Sequence, residues 1–477
     1  MSAASGRLTR RRAAGILIVI LVSYFMIVLD NSVLFTGVPS IQGDLRLSAA
    51  SMSWAQDAYT LVFGGFLLLG ARTGDLLGRR RALIIGLVVF VVASLFVGLA
   101  QNGGWLISAR ALQGVGAALV APSSLALITA SFPPGQERAR AVAWYGATAG
   151  IGGGLGLVIG GACAHLLSWR AGFFLNVPIG AAVMVLAPKV LAETQQLEGR
   201  FDLIGAMAAT AGVGVGVFAV SHAVEVGWGS LQTLVCICAA VVLLIGLILH
   251  EHRVAQPIIP LRLFASRERS GAYISRFLYM GAMIGFFYFT SQYLQTALGF
   301  NPLIAGLAFL PMTAVNFVTA LLVPRLSRRL GAPLLLIVGV AATLIGIFWL
   351  SRASPETPYA VAVAAPMVLI GAGQGFTFAP LTSAGISGIS GSDAGAASGI
   401  VNTAHQLGQA VGLSVLVSVA ATGTGHGADQ AVTQTHAAFV AASILPCLCL
   451  ATILVTIVPG TRETALANAE TSPELHR

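Results

Sequence analysis

The sequence predicts an all-α membrane protein of about fourteen spans, built as two six-helix bundles with two additional transmembrane helices between them. Hydrophobic residues make up 56% of the 477-residue chain and charged residues only 9%. A mean hydropathy of +0.87 is far above that of a soluble domain. Apolar segments long enough to cross a bilayer recur along the whole chain, about fourteen times.

The basic residues predict how the spans are oriented. Of 26 basic residues, 25 are arginines; twenty-one of the 26 fall on alternate loops and only three on the intervening ones. Because cytoplasmic loops are enriched in Lys and Arg, we expect a cytoplasmic-membrane protein with both termini in the cytoplasm. This distribution also accounts for the net charge of +9 without a nucleic-acid partner. The N-terminal arginines precede an apolar run without a clear cleavage site, which predicts a retained first span.

Three segments follow from the order of the spans. We expect a six-span bundle over 1–191, two further spans with linkers over 192–270, and a second six-span bundle with a cytoplasmic tail over 271–477. The sequences RTGDLLGRRRAL from Arg72 and RLSRRLGAPLLL from Arg325 occupy corresponding places in the two bundles. Parallel repeats of this kind are typical of one large class of transporters.

Several activities are excluded by what the sequence lacks. Lys189, the single lysine, lies outside any GxxxxGK motif, so ATP hydrolysis by a P-loop is excluded. The loops are too short for a soluble catalytic domain, and neither CxC pair has metal-ligand geometry on a helix. We therefore expect a protein that is not an enzyme and has no cofactor or metal.

Asp30 is the residue around which a function is predicted. It is the only charged side chain between Ala13 and Pro39. A carboxylate within hydrocarbon is costly and usually faces a protein interior or a watery cavity. Arg110 and Asp57 fall at similar depth by register. These residues are interpreted as a site that binds protons and substrate in turn. The alternative for Asp30 and Arg110 is a purely structural ion pair, and the alternative for Asp57 is an acid at the wet membrane interface.

Two further patterns have a mechanical interpretation. The segment from Gly146 to Gly161 contains eight glycines in sixteen residues, which form i, i+4 stripes. Such stripes allow close helix packing, either static or as a pivot between bundles. The loop from Gly74 to Arg81 contains one acid and three arginines. It is interpreted as a conformational latch, with a plain orienting charge run as the alternative.

These motifs resemble the major facilitator superfamily, and within it the fourteen-span drug/proton antiporters that include antibiotic-efflux proteins. The resemblance rests on LDNSV around Asp30, TGDLLGRRR, RALQGVGAAL, the glycine-rich segment, WRAGFFLNVPIG and GIVNTAHQLGQAVG. Leu157 departs from the pattern, because the family usually has a proline there that bends the fifth span. His405 stands where relatives often carry arginine.

The resemblance implies proton-driven export of a hydrophobic small molecule by alternating access. Asp30 and Arg110 would couple protons to transport. The residues assigned by motif or span depth are, for the latch, Asp75, Gly78, Arg79, Arg80 and Arg138; for a span-five hinge, Gly152, Gly156, Gly160 and Gly161; and for the substrate cavity, Asp57, Trp54, Tyr59, Gln113, Tyr293, Asn402 and His405.

The expected partners are a hydrophobic small molecule, protons and the lipid bilayer, and we expect a monomer. Two other functions fit the same architecture: proton-coupled uptake by symport, and a receptor or scaffold without turnover. The direction of proton movement on substrate addition separates export from uptake. An Asp30→Asn variant separates a transporter from a scaffold.

Overall fold

A computed structural model describes residues 10–133, 136–194, 196, 202–254, 261–389, 394–423 and 427–459. Over these residues the chain forms sixteen α-helices and no β-strand. The helices are α1 Arg10–Leu45, α2 Ala49–Leu77, α3 Arg79–Gly98, α4 Gly103–Ser131, α5 Gln136–Leu166, α6 Trp169–Phe174, α7 Asn176–Val190, α8 Leu203–Val226, α9 Leu231–Glu251, α10 Arg267–Gln292, α11 Pro302–Leu307, α12 Leu310–Leu330, α13 Ala332–Leu350, α14 Ala365–Gly385, α15 Ala394–Ala420 and α16 Gly427–Thr452.

Twelve helical segments of the described chain are long and apolar enough to cross a membrane. The predicted number of about fourteen spans is therefore not confirmed. The two other long helices are α10 and α15, whose sequences contain more polar residues. Both predicted termini, 1–9 and 460–477, lie outside the described residues.

Local sequence signals explain where several helices begin. The Ser48 hydroxyl accepts a hydrogen bond from the Ser51 amide at the start of α2, and the Asn102 side chain does the same for Trp105 in α4. Asn301 caps α11, where Pro302 occupies the first helical position. These side chains satisfy amide groups that have no acceptor within the helix.

The helices pack in two groups. The first group is α1–α7, in which α4 packs on α2 and α3, and α5 runs along α1. The second group is α10–α16, in which α15 and α16 flank α10 and α13 pairs with α14. Glycines allow the closest approaches: a Cβ at Gly70 would lie 2.0 Å from the Ala118 carbonyl oxygen. Close packing of backbones is how helices associate where lipid removes the hydrophobic driving force.

The two groups are joined along two lines. Helix α2 packs against α15, and α5 packs against α11 and α12. The hairpin α8–α9 packs through α8 on both α2 and α15. It therefore covers the α2–α15 seam on one side of the molecule.

The two ends of the bundle differ. We call the end that contains the α2–α3 connection at Gly78 the arginine-rich end, because Arg79, Arg80 and Arg81 follow it. At the opposite end, the Ser291 hydroxyl donates to the Phe35 carbonyl oxygen at 2.7 Å, and the Gln295 side chain donates to that of Thr36 at 3.2 Å. These bonds tie α1 to the C-terminal end of α10, so the two groups meet at this end.

Candidate functional site

Asp30 lies at the centre of a buried polar cluster in the first helix group. Its Oδ2 accepts a hydrogen bond from Arg110 Nη1 at 2.5 Å. Its Oδ1 accepts bonds from Gln113 Nε2 at 2.7 Å and from Asn176 Nδ2 at 2.8 Å. The predicted proximity of Asp30 and Arg110 is thus found, with donors from α4 and α7 converging on α1.

Arg110 is held on every side of its guanidinium. Its Nε donates to the Ala55 carbonyl oxygen at 3.1 Å and its Nη2 to Gln56 Oε1 at 3.4 Å. The Tyr59 ring lies 4.3 Å from the guanidinium carbon, a cation–π distance. Since these partners belong to α2, the arginine links α1, α2 and α4 within one group.

Neither charge of this ion pair reaches solvent in this conformation. The side chains of Asp30 and Arg110 are both 0% exposed. A buried pair of this kind has a large desolvation cost, which is offset only when each remaining lone pair and N–H group finds a partner. Both oxygens of Asp30 and all three nitrogens of Arg110 have a partner, whereas the neutral atoms Asn176 Oδ1 and Tyr59 Oη of the same cluster have none. In this conformation the ion pair is closed to both sides of the membrane.

Asp57 lies one residue beyond Gln56 but faces the second helix group. The Ser414 hydroxyl of α15 donates to its Oδ2 at 2.7 Å. Its other oxygen, Oδ1, is buried with no hydrogen-bond partner. The residue is 0% exposed, so the alternative of an acid at the wet interface is wrong. Helix α15 covers a position that register alone placed near the end of a span.

The residues predicted to line one cavity are found in different places. Gln113 and Tyr59 belong to the Asp30 cluster. Trp54 packs on Phe218 of α8, with ring centroids 6.0 Å apart, and so lies against the additional hairpin. Tyr293 is buried in the core at the end of α10, in a π-helical turn. Depth along a span was predicted for these residues, but direction around the helix was not.

Asn402 and His405 lie on α15 towards the arginine-rich end. The Asn402 side chain is exposed and donates to the Ser398 carbonyl oxygen of its own helix at 3.0 Å. His405 lies edge-on to Phe378 of α14, with ring centroids 6.0 Å apart. His405 therefore faces another helix of the second group, whereas Asn402 is exposed.

The loop after α2 forms a connected set of contacts. Asp75 and Arg79 form an ion pair one helical turn apart. Arg80 pairs with Glu193, which also accepts from the Arg80 and Arg81 amides at 3.0 and 3.2 Å. Gly78 has φ +97°, and a Cβ there would lie 2.4 Å from Glu193 Oε1. The positive φ favours glycine at this position, whereas the Glu193 side chain could move to accommodate a Cβ.

Arg138 does not join this loop. Its Nε donates to the Phe132 carbonyl oxygen at 2.9 Å, which closes the connection between α4 and α5. Glu193, by contrast, was not predicted although it holds the start of α3. The sequence signal that could have identified Glu193 is an acid that directly follows a long apolar segment and could pair with the arginines of the loop after α2.

The glycines of α5 divide between two neighbours. Gly152, Gly156 and Gly160 pack on α1, where a Cβ at Gly160 would lie 2.6 Å from the Val33 Cα. Gly161 faces the other group: a Cβ there would lie 2.3 Å from the Pro302 carbonyl oxygen. Gly146 has no atom within 4 Å of such a Cβ.

At Leu157, helix α5 is unbroken from Gln136 to Leu166. Gly306 of α11 approaches the Leu157 backbone closely, since its Cβ would lie 2.4 Å from that carbonyl oxygen. The two helix groups thus meet at backbone-to-backbone distance at this point.

Asn176 and Ser94 complete the Asp30 cluster and were not predicted. Asn176 Nδ2 also lies 3.3 Å from Ser94 Oγ, which accepts from Gln113 at 2.8 Å. Each is an isolated polar residue in an apolar segment. In a membrane span such a residue needs a polar partner, and that was the signal that could have found them.

Known proteins similar to this chain are membrane exporters and resistance proteins. It is 37% identical over 427 residues to the cephamycin export protein CmcT of Amycolatopsis lactamdurans, covering 88% of each chain. It is 36% identical over 427 residues to the puromycin resistance protein pur8 of Streptomyces alboniger, covering 87% of this chain and 84% of that one. The methylenomycin A resistance protein of Bacillus subtilis is 32% identical over 447 residues, or 93% and 96% of the two chains.

The fold is that of solved transporters. The nucleoside transporter NupG superposes with a TM-score of 0.66 at 10% identity, covering 92% of this chain and 99% of that one. An autoinhibited peptide transporter of the POT family gives 0.64 at 17% identity, covering 95% and 97%.

The helical architecture defines the class as a multi-pass membrane protein with the fold of these solved structures. The family model of the Major Facilitator Superfamily matches residues 20–413, and the chain belongs to that superfamily. The predicted family is therefore confirmed, and the chain is a multi-pass protein of a cell membrane.

Proposed function

We propose that this protein exports hydrophobic small molecules across the cytoplasmic membrane in exchange for protons, by alternating access. The observation that carries the proposal is the Asp30–Arg110 pair, fully buried and bonded within one helix group. A buried acid in a membrane transporter is a candidate proton carrier. The names of the relatives support antibiotics as the class of cargo.

The proposed proton step follows from the chemistry of the cluster. A proton that binds Asp30 neutralises the carboxylate and removes its attraction for Arg110. The arginine then loses its only carboxylate partner among the described residues, while Gln113 and Asn176 lose a charged acceptor. Charged acceptors make the stronger hydrogen bonds, so protonation weakens the contacts that join α1 to α4 and α7.

The moving bodies are proposed to be residues 1–191 and 271–477, with 192–270 as the additional hairpin. We propose α10 and α15 as the spans that complete fourteen. Eighteen of the 26 residues of α10 are buried, including Glu268 and Arg276. A helix shielded from lipid by its neighbours can carry polar residues that lower its hydropathy.

The arginine-rich end is proposed to face the cytoplasm, with both termini on that side, and the protein to act as a monomer. The bonds from Ser291 and Gln295 to α1 then close the outer side. Cargo would enter between the groups from the arginine-rich end and leave after these bonds break. The loop contacts of Asp75, Arg79 and Arg80 would re-form in each cycle.

The test is export from a host that lacks its own pumps. Cells expressing the protein are exposed to a panel of antibiotics, and everted membrane vesicles from them are energised and monitored with a pH-sensitive dye. An exporter that exchanges cargo for protons collapses the proton gradient when an exported compound is added. An uptake symporter would leave the gradient unchanged on such addition, and a scaffold would respond to no compound.

Asp30→Asn provides the sharpest variant, with Asp44→Asn as its control on the same helix. Asp44 pairs with Arg170 at the end of the bundle opposite the arginine-rich end, and the Asp44 side chain is 45% exposed. We expect Asp30→Asn to lose resistance and the proton response when both are normalised to the amount of folded protein in the membrane, and Asp44→Asn to retain both. Full transport by Asp30→Asn would disprove the proton-coupling role.

A further inference from the structure

The second helix group contains a buried cation without an acid. Arg276 of α10 is 1% exposed, and its Nε has no hydrogen-bond partner. Its Nη1 donates to the Phe378 carbonyl oxygen at 3.3 Å. Within the described part of the chain, no Asp or Glu forms an ion pair with it. A buried charge of this kind is costly unless a partner of opposite charge arrives.

The guanidinium of Arg276 lies against a partly exposed aromatic side chain. The centroid of the Phe378 ring lies 3.7 Å from the guanidinium carbon, and Phe378 is 38% exposed. The buried cation is therefore in contact with a residue that reaches the surface. His405 of α15 lies edge-on to the same ring, with ring centroids 6.0 Å apart.

The first helix group also approaches Arg276. Tyr24 of α1 interacts electrostatically with Arg276 and stacks on Tyr145 of α5, with ring centroids 4.1 Å apart. Aromatic side chains of both groups thus lie near a cation that belongs to one of them. A carboxylate accepts a bidentate pair of bonds from a guanidinium, and an apolar body packs against such rings.

We propose that Arg276 binds the anionic group of an amphiphilic organic anion, and that this anion is cargo. This inference rests on the proposed export function and specifies the charge of its substrate. It narrows the hydrophobic small molecule that the sequence resemblance implies to one that carries a negative charge. A carboxylate or sulfonate on an aromatic or alicyclic body is the chemistry that fits, and an anionic lipid headgroup shares it.

Binding is tested on the full-length protein purified in a neutral detergent. The probes are benzylpenicillin, cephalothin and fusidate, each compared with its own methyl ester, with thermal stability as the readout. We expect at least one acid to raise the melting temperature of the wild type while its ester does not. Arg276→Gln should weaken that acid about tenfold or more, because charged hydrogen bonds are lost, and Arg276→Lys should restore part of the affinity. Arg352→Gln, which removes an exposed arginine beside Phe348, is the charge-matched control.

The melting temperature measured without any probe shows whether Arg276 has a structural role rather than a binding role. Arg276→Gln removes an unpaired buried charge, so we expect an unchanged or raised melting temperature without probe. A drop in melting temperature together with unchanged acid binding would overturn the proposal. So would acids that fail to stabilise the wild type, or esters that stabilise it equally well.

Two further experiments distinguish a lipid from cargo as the bound anion, and distinguish failure of this inference from failure of the proposed export function. In nanodiscs of phosphatidylcholine, added phosphatidylglycerol should not raise the melting temperature as the acid does. If phosphatidylglycerol stabilises the wild type but not Arg276→Gln, a lipid occupies the site and the assignment to cargo is wrong.

In cells, Arg276→Gln should lose resistance to acids but keep it to neutral compounds. A wild type that exports nothing refutes the export function, whereas one that exports only neutral or cationic compounds refutes this inference alone.

Discussion

The Asp30–Arg110 pair of the first helix group and the ionisable groups Asp57 and Arg276 are satisfied to different extents. Around Asp30, three side-chain donors reach the two carboxylate oxygens, and Arg110 bonds through all three of its nitrogens. Within this cluster the neutral atoms Tyr59 Oη and Asn176 Oδ1 lack a partner, whereas Asp57 Oδ1 and Arg276 Nε belong to ionisable groups and lack one too. An ionisable group with an unsatisfied buried atom favours any change that supplies a partner. We therefore expect changes of contact at Asp57 and Arg276 rather than within the Asp30–Arg110 pair.

The largest effect is expected when the Asp30–Arg110 pair loses its cation. Arg110→Gln leaves Asp30 as an uncompensated buried charge, which costs about 3–5 kcal/mol. We expect little folded protein in the membrane, and the double variant Asp30→Asn with Arg110→Gln to recover most of it. Size-exclusion profiles and melting temperatures of the purified proteins measure this. Arg170→Gln is the control: its pair with Asp44 is partly exposed and contributes at most about 1 kcal/mol. Equal losses for both single variants would contradict the comparison.

The two faces of α5 allow a sharper test within one helix. Gly160→Ala crowds α1 inside the first group, whereas Gly161→Ala crowds the Pro302 carbonyl oxygen of the second. Overpacking costs about 1–3 kcal/mol in either case. We expect Gly160→Ala to lower the melting temperature, and Gly161→Ala to lower export at saturating cargo by forcing the groups apart. Gly153→Ala, which meets no atom within 4 Å, is the control and should be neutral or slightly stabilising. If Gly161→Ala affected stability alone, α5 would be a static contact.

Asp57 tests whether an unsatisfied interface group is retained for function. Asp57→Asn keeps the shape and an acceptor for Ser414 but removes a buried group that can ionise. We expect the free energy of unfolding to rise by about 1–2 kcal/mol while export falls. Melting curves and vesicle transport are measured on the same preparation. A variant that loses stability would show that the Ser414 bond needs the carboxyl group and that Asp57 has a structural role.

The sequence was sufficient for the family, the helical architecture and the Asp30–Arg110 pair, because hydropathy and register determine depth in a membrane. It was insufficient for direction around each helix. Trp54 and Asp57 lie one turn apart on α2, yet Trp54 packs on α8 and Asp57 faces Ser414 of α15. Which helix covers which face depends on tertiary packing of helices far apart in sequence. For the same reason, Asn176 and Glu193 acquire their roles from partners about 80 to 150 residues away.

The smallest effect is expected at the loop after α2, outside both regions compared above. Glu193 accepts from two amides at the start of α3, where Gly78 offers no side-chain cap, and pairs with Arg80. Glu193→Gln keeps an acceptor but removes the charge from a helix N-terminus, which costs about 0.3–1 kcal/mol. Glu137→Gln, at an exposed acid in the first turn of α5, is matched for that loss of charge. If Glu193 holds α3 to the segment after α7, Glu193→Gln should speed proteolysis of this connection, whereas Glu137→Gln should not. Equal rates of proteolysis for the two variants would show that Glu193 contributes only a charge at the N-terminus of a helix.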